Sequence, residues 1–436
     1  MSQSLIDTAA MIVDTARGLG AEEVTAWTST GTYTDVKQRD GTLEKWQDSQ
    51  SRSASAALFV DGRYSVHNTN DLRPDALKQF LSRAIDATRH LEPDPDRRLP
   101  DPADMGVAQG ELDLVDTASQ EIDHRAWVDQ MQTAATQAIP KHLRSAEGFV
   151  WSGSSASAMV TSNGFVGTTS STEFGQGADV SMEDKDGRLP EAYDFAVARH
   201  QSDLPSIAEL AESVADRGLR QLGSGPVASK RGAMLVDNRV ASRIIGTLVG
   251  PLGGGAIYEQ RSCMTDKLGE AVASSAFTLL DEPHLPKAMG SRMYDGDGRP
   301  TVPRTLIENG VLKHWLVNVY YGRKLDRAPT TGGSSNLVVP AGVRSCADIL
   351  SDLDWAIHVD GFLGGNSNPA TGRYSFGIRG TLFENGVAVQ PISEMNISGS
   401  IFDLMAGFVE AADDAFRYGS CRSPSLLFDA VQFSGA

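Results

Sequence analysis

The chain has 436 residues, 40% hydrophobic and 22% charged, a globular composition in a chain too long for one ordinary core. Two or three domains are expected. A formal net charge of −17 makes it a poor nucleic-acid binder, because binding phosphates needs Lys and Arg to displace counterions, and the plain reading of the charge is solubility.

Leu5, Ile6, Ala9, Ile12, Val13, Ala16 and Leu19 recur at helical spacing before Gly18 and Gly20 end the run. A strand meander follows, with candidate strands at 23–28 and 55–60 and turns at Asp40-Gly41 and Asp61-Gly62. Pro74 opens a helix with Leu77, Phe80, Leu81, Ala84 and Ile85 on one face. Pro93, Pro95, Pro100 and Pro102 mark a linker. A second unit is expected to begin near Gln120. It has a helix through Trp127 and Met131, short strands at 150–151, 156–160 and 165–169, a tight Asn163-Gly164 turn, and a helix over 207–222.

The third unit carries one pattern twice: Thr305-Leu306-Ile307-Glu308-Asn309-Gly310-Val311 and Thr381-Leu382-Phe383-Glu384-Asn385-Gly386-Val387. Asn-Gly between apolar runs predicts a type I′ hairpin, since both central residues need φ > 0. The expected fold class is α+β: an N-terminal helix–β-meander–helix domain (1–92), a linker (93–118), a middle α+β domain (119–224) and a large β-rich C-terminal domain (225–436).

The cysteines Cys263, Cys346 and Cys421 are widely spaced and form no Cys-x-x-Cys pair, so neither a disulfide framework nor a zinc knuckle is indicated. The N-terminus does not read as a signal peptide, and no run approaches the ~18 apolar residues of a membrane span. A cytoplasmic protein is expected. Among the eight histidines none has a second His or a Cys at metal-binding spacing. His314 reads as an ordinary strand residue. No Gly-x-Ser-x-Gly elbow or phosphate loop is present. The glycine-rich stretches Gly253-Gly254-Gly255 and Gly332-Gly333-Ser334-Ser335-Asn336 are open to two readings. They can let a backbone approach an extended peptide, with Ser334, Ser335 and Asn336 as hydrogen-bonding groups, or they can be turns in a β domain.

Asn368-Pro369-Ala370-Thr371-Gly372-Arg373-Tyr374-Ser375, then Glu384-Asn385-Gly386, Pro391-Ile392, Ile397-Ser398-Gly399 and Gly419-Ser420-Cys421-Arg422-Ser423-Pro424-Ser425-Leu426 resemble the C-terminal domain of the PmbA/TldD family. The order is similar to the PmbA/TldE branch. The N-terminal third, with Arg39-Asp40-Gly41-Thr42-Leu43-Glu44, resembles that family more weakly. In the TldD branch a helix carries His-Glu-x-x-x-His, and a distant Cys completes a zinc site. The resemblance matches that motif to Ile245-Gly246-Thr247-Leu248-Val249-Gly250, where Ile245 and Gly250 replace the histidines. It places Cys421 near the TldD cysteine. It therefore implies no catalytic residues and no cofactor in this chain, zinc in a TldD-like partner subunit, and a joint substrate of unfolded or extended peptides. The alternative from a different class is a homodimeric binding or regulatory protein of the gyrase-modulator type. Neither reading involves nucleic acid or membrane.

Overall fold

The computed structural model describes residues 2–117, 122–185 and 187–435. The expected linker–middle boundary at 118/119, and the expected start near Gln120, lie outside them.

Helix α1 (Ser2–Gly18) presents Leu5, Ala9, Ile12, Val13 and Ala16 to the interior, as its spacing predicts. Strands β1 (Glu23–Arg39), β2 (Thr42–Val60) and β3 (Arg63–Thr69) form the meander, and α2 (Pro74–Thr88) follows with Leu77, Leu81, Ala84 and Ile85 buried. These helices share one core with Val24, Ala26, Ala56 and Leu58. Next come α3 (His124–Ala138), β4 (Leu143–Thr161), β5 (Val166–Met182), β6 (Glu191–Ala198) and α4 (Ile207–Leu219). Helix α4 begins at a reciprocal Ser206–Glu209 capping box. Trp127, Val128 and Met131 of α3 and Leu210 and Val214 of α4 build a second core against Val150, Phe174 and Val180.

Both groups of strands join in one antiparallel sheet, β3-β2-β1-β4-β5-β6, through a β1–β4 pairing that runs from Thr25↔Thr161 to Arg39↔Glu147. The short strands expected at 150–151 and 156–160 are one 19-residue strand. Their missing middle, Ser152-Gly153-Ser154-Ser155, pairs with the mostly polar or small Gly31–Thr34 and Ser171–Phe174. Strand there is held by the backbone ladder and Ser/Thr cross-strand bonds, such as Thr32 with Ser154 at 2.8 Å, not by apolar alternation.

The C-terminal region begins with β7 (Lys230–Val236), α5 (Ala241–Val249) and α6 (Gly254–Tyr258). Then follow β8 (Leu279–Asp281), β9 (Arg304–Glu308), β10 (Val311–Leu312), α7 (Val319–Lys324), β11 (Leu337–Val338) and α8 (Cys346–Ser351). The last elements are β12 (Trp355–Phe362), β13 (Asn366–Asn368), β14 (Arg373–Glu384), β15 (Val387–Ser400), α9 (Ile401–Ala406), β16 (Phe408–Ala411), β17 (Cys421–Arg422) and β18 (Leu426–Ser434). Strands β12-β7-β18-β15-β14 pair in that order, and β14 returns to β12, so the sheet closes into a barrel. Phe277, Phe376, Phe428 and Phe433, all fully buried, sit in the largest core, and each such side chain stabilises the fold by roughly 1.5–3 kcal/mol. The class is α+β with a β-rich C-terminal region, as the sequence predicts.

Two-residue hairpins occur at Asp40-Gly41, Asp61-Gly62, Asn309-Gly310 and Asn385-Gly386, each with both central φ angles positive. Asn163-Gly164 differs. It lies in a four-residue loop between β4 and β5, where only Gly164 has positive φ. The Asn163 side chain is drawn aside to accept from Thr161 Oγ1 and to donate to the Pro100 carbonyl. His314 is not a strand residue; it follows β10 in an exposed loop.

Candidate functional site

A cleft of about 900 Å³ opens where the six-stranded sheet meets the barrel. Its size suits a small ligand or a short peptide segment. Strand β6, an edge of the first sheet, forms one wall. It alternates exposed and buried residues, so Tyr193, Phe195 and Val197 face the cleft while Ala192, Asp194 and Ala196 are buried. Phe416 and Tyr418, from the loop before β17, add aromatic surface.

Helix α5 supplies the floor. Its Ile244, Ile245 and Leu248 are fully buried, and Ser242, Arg243, Gly246 and Thr247 line the cleft. The helix begins only at Ala241. Asp237 to Val240 form a turn in which the Asp237 carboxylate accepts from the Arg239 N–H at 3.0 Å.

Charged groups meet at the junction. Asp194 is buried on β6 and pairs with Arg239; it also accepts from Ser213 Oγ at 2.5 Å and from the Phe195 N–H at 2.8 Å. Burial outweighs these partners and raises its carboxyl above the ordinary range. Asp360 of β12 is likewise raised by burial, although Arg217 and Arg379 oppose the shift. Arg379 Nε lies 3.6 Å from the Asp360 carboxylate, and Arg217 donates to the Asp360 carbonyl at 2.8 Å. Arg379 also donates to the Glu191 carbonyl at 3.1 Å. Arg217 and Asp194 belong to the sheet–helix layer, and Arg239, Asp360 and Arg379 to the barrel region, so these contacts tie the two together. Behind them His358 Nε2 lies 3.6 Å from Asp237, and burial lowers the pKa of its imidazole.

The glycine-rich stretches lie elsewhere. None of Gly253, Gly254, Gly255, Ser334, Ser335 or Asn336 lines this cleft. Gly254 and Gly255 let α6 pack on α7, since a Cβ at either would come within 2.9 Å of Tyr321. Asn336 is fully buried; it accepts from the Gly290 N–H and donates to the Glu282 carbonyl and Ser291 Oγ. Ser335 is buried too, with its hydroxyl taking Arg292 Nε at 3.1 Å, while Ser334 is half-buried. Of the motif-matched positions, Ile245 points into the core and Gly250 is exposed beyond the end of α5. Cys421 does line the cleft, half-buried, and burial pushes its thiol up to about 11.

These residues do not fit zinc, which requires deprotonated thiolate, neutral imidazole or free carboxylate. The cleft offers a single thiol, two aspartates committed to arginines and an arginine at the helix face. Among the described residues no group of three or more His, Cys, Asp or Glu is arranged to hold a metal ion.

The position of Ile245 gives a test of register. Ile245→His is expected to destabilise the chain by about 2–4 kcal/mol, because it removes packed apolar volume and buries a polar ring without a partner. Thr247→His, on the cleft face, should cost less than about 0.5 kcal/mol. Urea unfolding of the two variants checks the difference.

A sheet–helix layer joined to a closed β-barrel, with a polar and aromatic cleft at the junction, defines a two-part α+β protein. Residues 229–435 match the PmbA/TldA metallopeptidase C-terminal domain, and residues 117–222 match the central domain. The chain belongs to the PmbA/TldD family. It is 26% identical over 411 residues to the metalloprotease PmbA of Escherichia coli O157:H7, covering 92% of this chain and 89% of that one. A crystal structure of a proposed modulator of DNA gyrase from Bacteroides thetaiotaomicron is 32% identical, with a TM-score of 0.95 and 99% of each chain covered. TldE of Thermococcus kodakarensis, 17% identical with 98% of this chain and 100% of that one covered, shares the fold at a TM-score of 0.87. Among the described residues no helix is long and apolar enough to cross a membrane.

Proposed function

We propose that this chain is a non-catalytic PmbA/TldE-type subunit that pairs in the cytoplasm with a TldD-like zinc metallopeptidase and helps it handle unfolded or extended peptides. The observation that carries this reading is the cleft face of α5. Ser242, Arg243 and Thr247 repeat the spacing of His-Glu-x-x-x-His and face the cleft, but none is a zinc ligand or a general base. This register differs from the match to Ile245 and Gly250, and it follows from which residues are exposed.

The part this chain plays is to receive an extended segment. The Glu191 carbonyl takes Arg379, and the Phe195 N–H turns to the Asp194 side chain, so both point away from β5. By alternation along the strand, the N–H and C=O of Tyr193 and Val197 point outward as well. An edge of this kind is a template for an added strand, and the cleft-facing rings of Tyr193 and Phe195 supply side-chain contacts. The zinc chemistry belongs to the partner.

Purified alone, the chain is expected to hold no stoichiometric zinc and to leave unstructured peptides uncleaved. Mixed with a TldD-like partner, it should yield cleavage. Replacing the motif glutamate of that partner with glutamine should abolish it. Cleavage that survives the replacement would place the activity in this chain and overturn the reading. A stable homodimer that ignores the partner would favour the binding-protein alternative.

A further inference from the structure

We infer that the cleft selects peptides by a carboxylate, which the guanidinium of Arg243 receives. The inference rests on the peptide reading of the cleft, but not on the partner subunit.

Arg243 differs from the other arginines of the cleft. Arg239 is taken by Asp194, and Arg217 and Arg379 flank Asp360. Arg243 makes no ion pair among the described residues, although it is exposed on the cleft face of α5. It is also held in place. Its Nη2 donates to the Gly365 carbonyl at 2.9 Å, and its guanidinium lies 4.7 Å from the centre of the Phe376 ring. A guanidinium has five N–H donors, and one is used here. The rest form a fixed fork whose ordering entropy is already spent.

The surroundings define the ligand. Four arginines and two aspartates line the cleft of a chain whose net charge is −17, so an anion repelled elsewhere on the surface meets positive potential there. One uncommitted guanidinium matches one negative charge in a planar, two-oxygen group. A phosphate dianion would need further cations, and the other three arginines of the cleft already flank Asp194 and Asp360. Tyr193, Phe195, Phe416 and Tyr418 line the same cleft and offer aromatic surface to the rest of the peptide. The carboxylate can be the C-terminus of a peptide or an Asp or Glu side chain.

The test uses the full-length chain and dye-labelled unstructured peptides, read by fluorescence anisotropy. The set has one neutral sequence with a free C-terminus, the same sequence amidated, an amidated version with one Glu, and its Gln counterpart. A carboxylate-bearing peptide should bind about tenfold tighter than its neutral counterpart. A loss on amidation identifies the terminal carboxylate, and a Glu-over-Gln preference identifies the side chain. Arg243→Gln should erase the preference by lowering the carboxylate-bearing peptide to the affinity of its neutral counterpart. Arg243→Lys should retain part of it. Neutral and carboxylate-bearing peptides binding equally would overturn the inference and leave the peptide reading standing. A preference that persists in Arg243→Gln would also overturn it. Inorganic phosphate displacing the carboxylate peptide at matched concentration would show the wrong anion. Failure of every peptide to bind would sink both readings.

Discussion

Gly310→Val and Gly386→Val are each expected to destabilise the C-terminal region more than Gly41→Val destabilises the N-terminal sheet. All three glycines hold the second position of a two-residue hairpin, with φ of 79°, 75° and 77°. A β-branched residue forced into that region costs about 1–3 kcal/mol. At Gly41 nothing else lies within 4 Å, so the conformational cost stands alone. At Gly310 a Cβ would sit 2.3 Å from the Ala273 carbonyl oxygen, and at Gly386 it would sit 2.8 Å from the Ser351 Cα. These neighbours are backbone and cannot swing away. Both turns are also pinned: the Gly310 carbonyl accepts from the Val272 and Ala273 N–H groups, and the Gly386 N–H donates to the Leu353 carbonyl. Relief would therefore break further hydrogen bonds. Urea midpoints should order wild type, Gly41→Val, then the other two. Equal losses at all three positions would mean that the close packing of the two Asn-Gly hairpins contributes nothing.

The hairpins were legible because Asx-Gly states a backbone requirement within two residues. Helices α1, α2 and α4 were legible from apolar spacing. The long central strands were not, because the stretches at 28–34 and 152–157 are rich in Ser, Thr and Gly. They are strand because neighbouring strands pair with them, and pairing leaves no local signature. The cleft was hidden for a similar reason. Asp194, Arg217, Arg239, Arg243, Asp360 and Arg379 come from β6, α4, the turn before α5, α5, β12 and β14. No spacing rule joins them. The glycine-rich stretches left two readings open in the sequence. Gly254 and Gly255 make room for Tyr321. Sequence similarity alone does not say which face of a short helix is buried. The exposure of Ser242, Arg243 and Thr247 does.

Arg239→Met is expected to be among the most destabilising single changes near the cleft, at about 3–5 kcal/mol, because it strands a buried carboxylate. Asp194 would keep Ser213 Oγ and the Phe195 N–H but lose its cation. The effect should depend on pH, with a definite sign. Burial already raises the Asp194 carboxyl above its ordinary value, so between that value and the raised one the folded state binds more protons than the unfolded state. Stability contributed by this group is therefore present at low pH and is lost as pH rises through that window. Arg239 lowers the folded pKa and narrows the window. Its removal should widen the window upward, so that the variant loses more stability than wild type as pH climbs from acid toward neutral. Adding Asp194→Asn to Arg239→Met should remove this extra pH dependence and recover much of the loss, since a neutral amide has no charge to strand. Denaturant midpoints of the four proteins across pH 4 to 8 measure the coupling. A single variant whose stability parallels wild type at every pH would show that the pair does not hold the wall of the cleft against its floor.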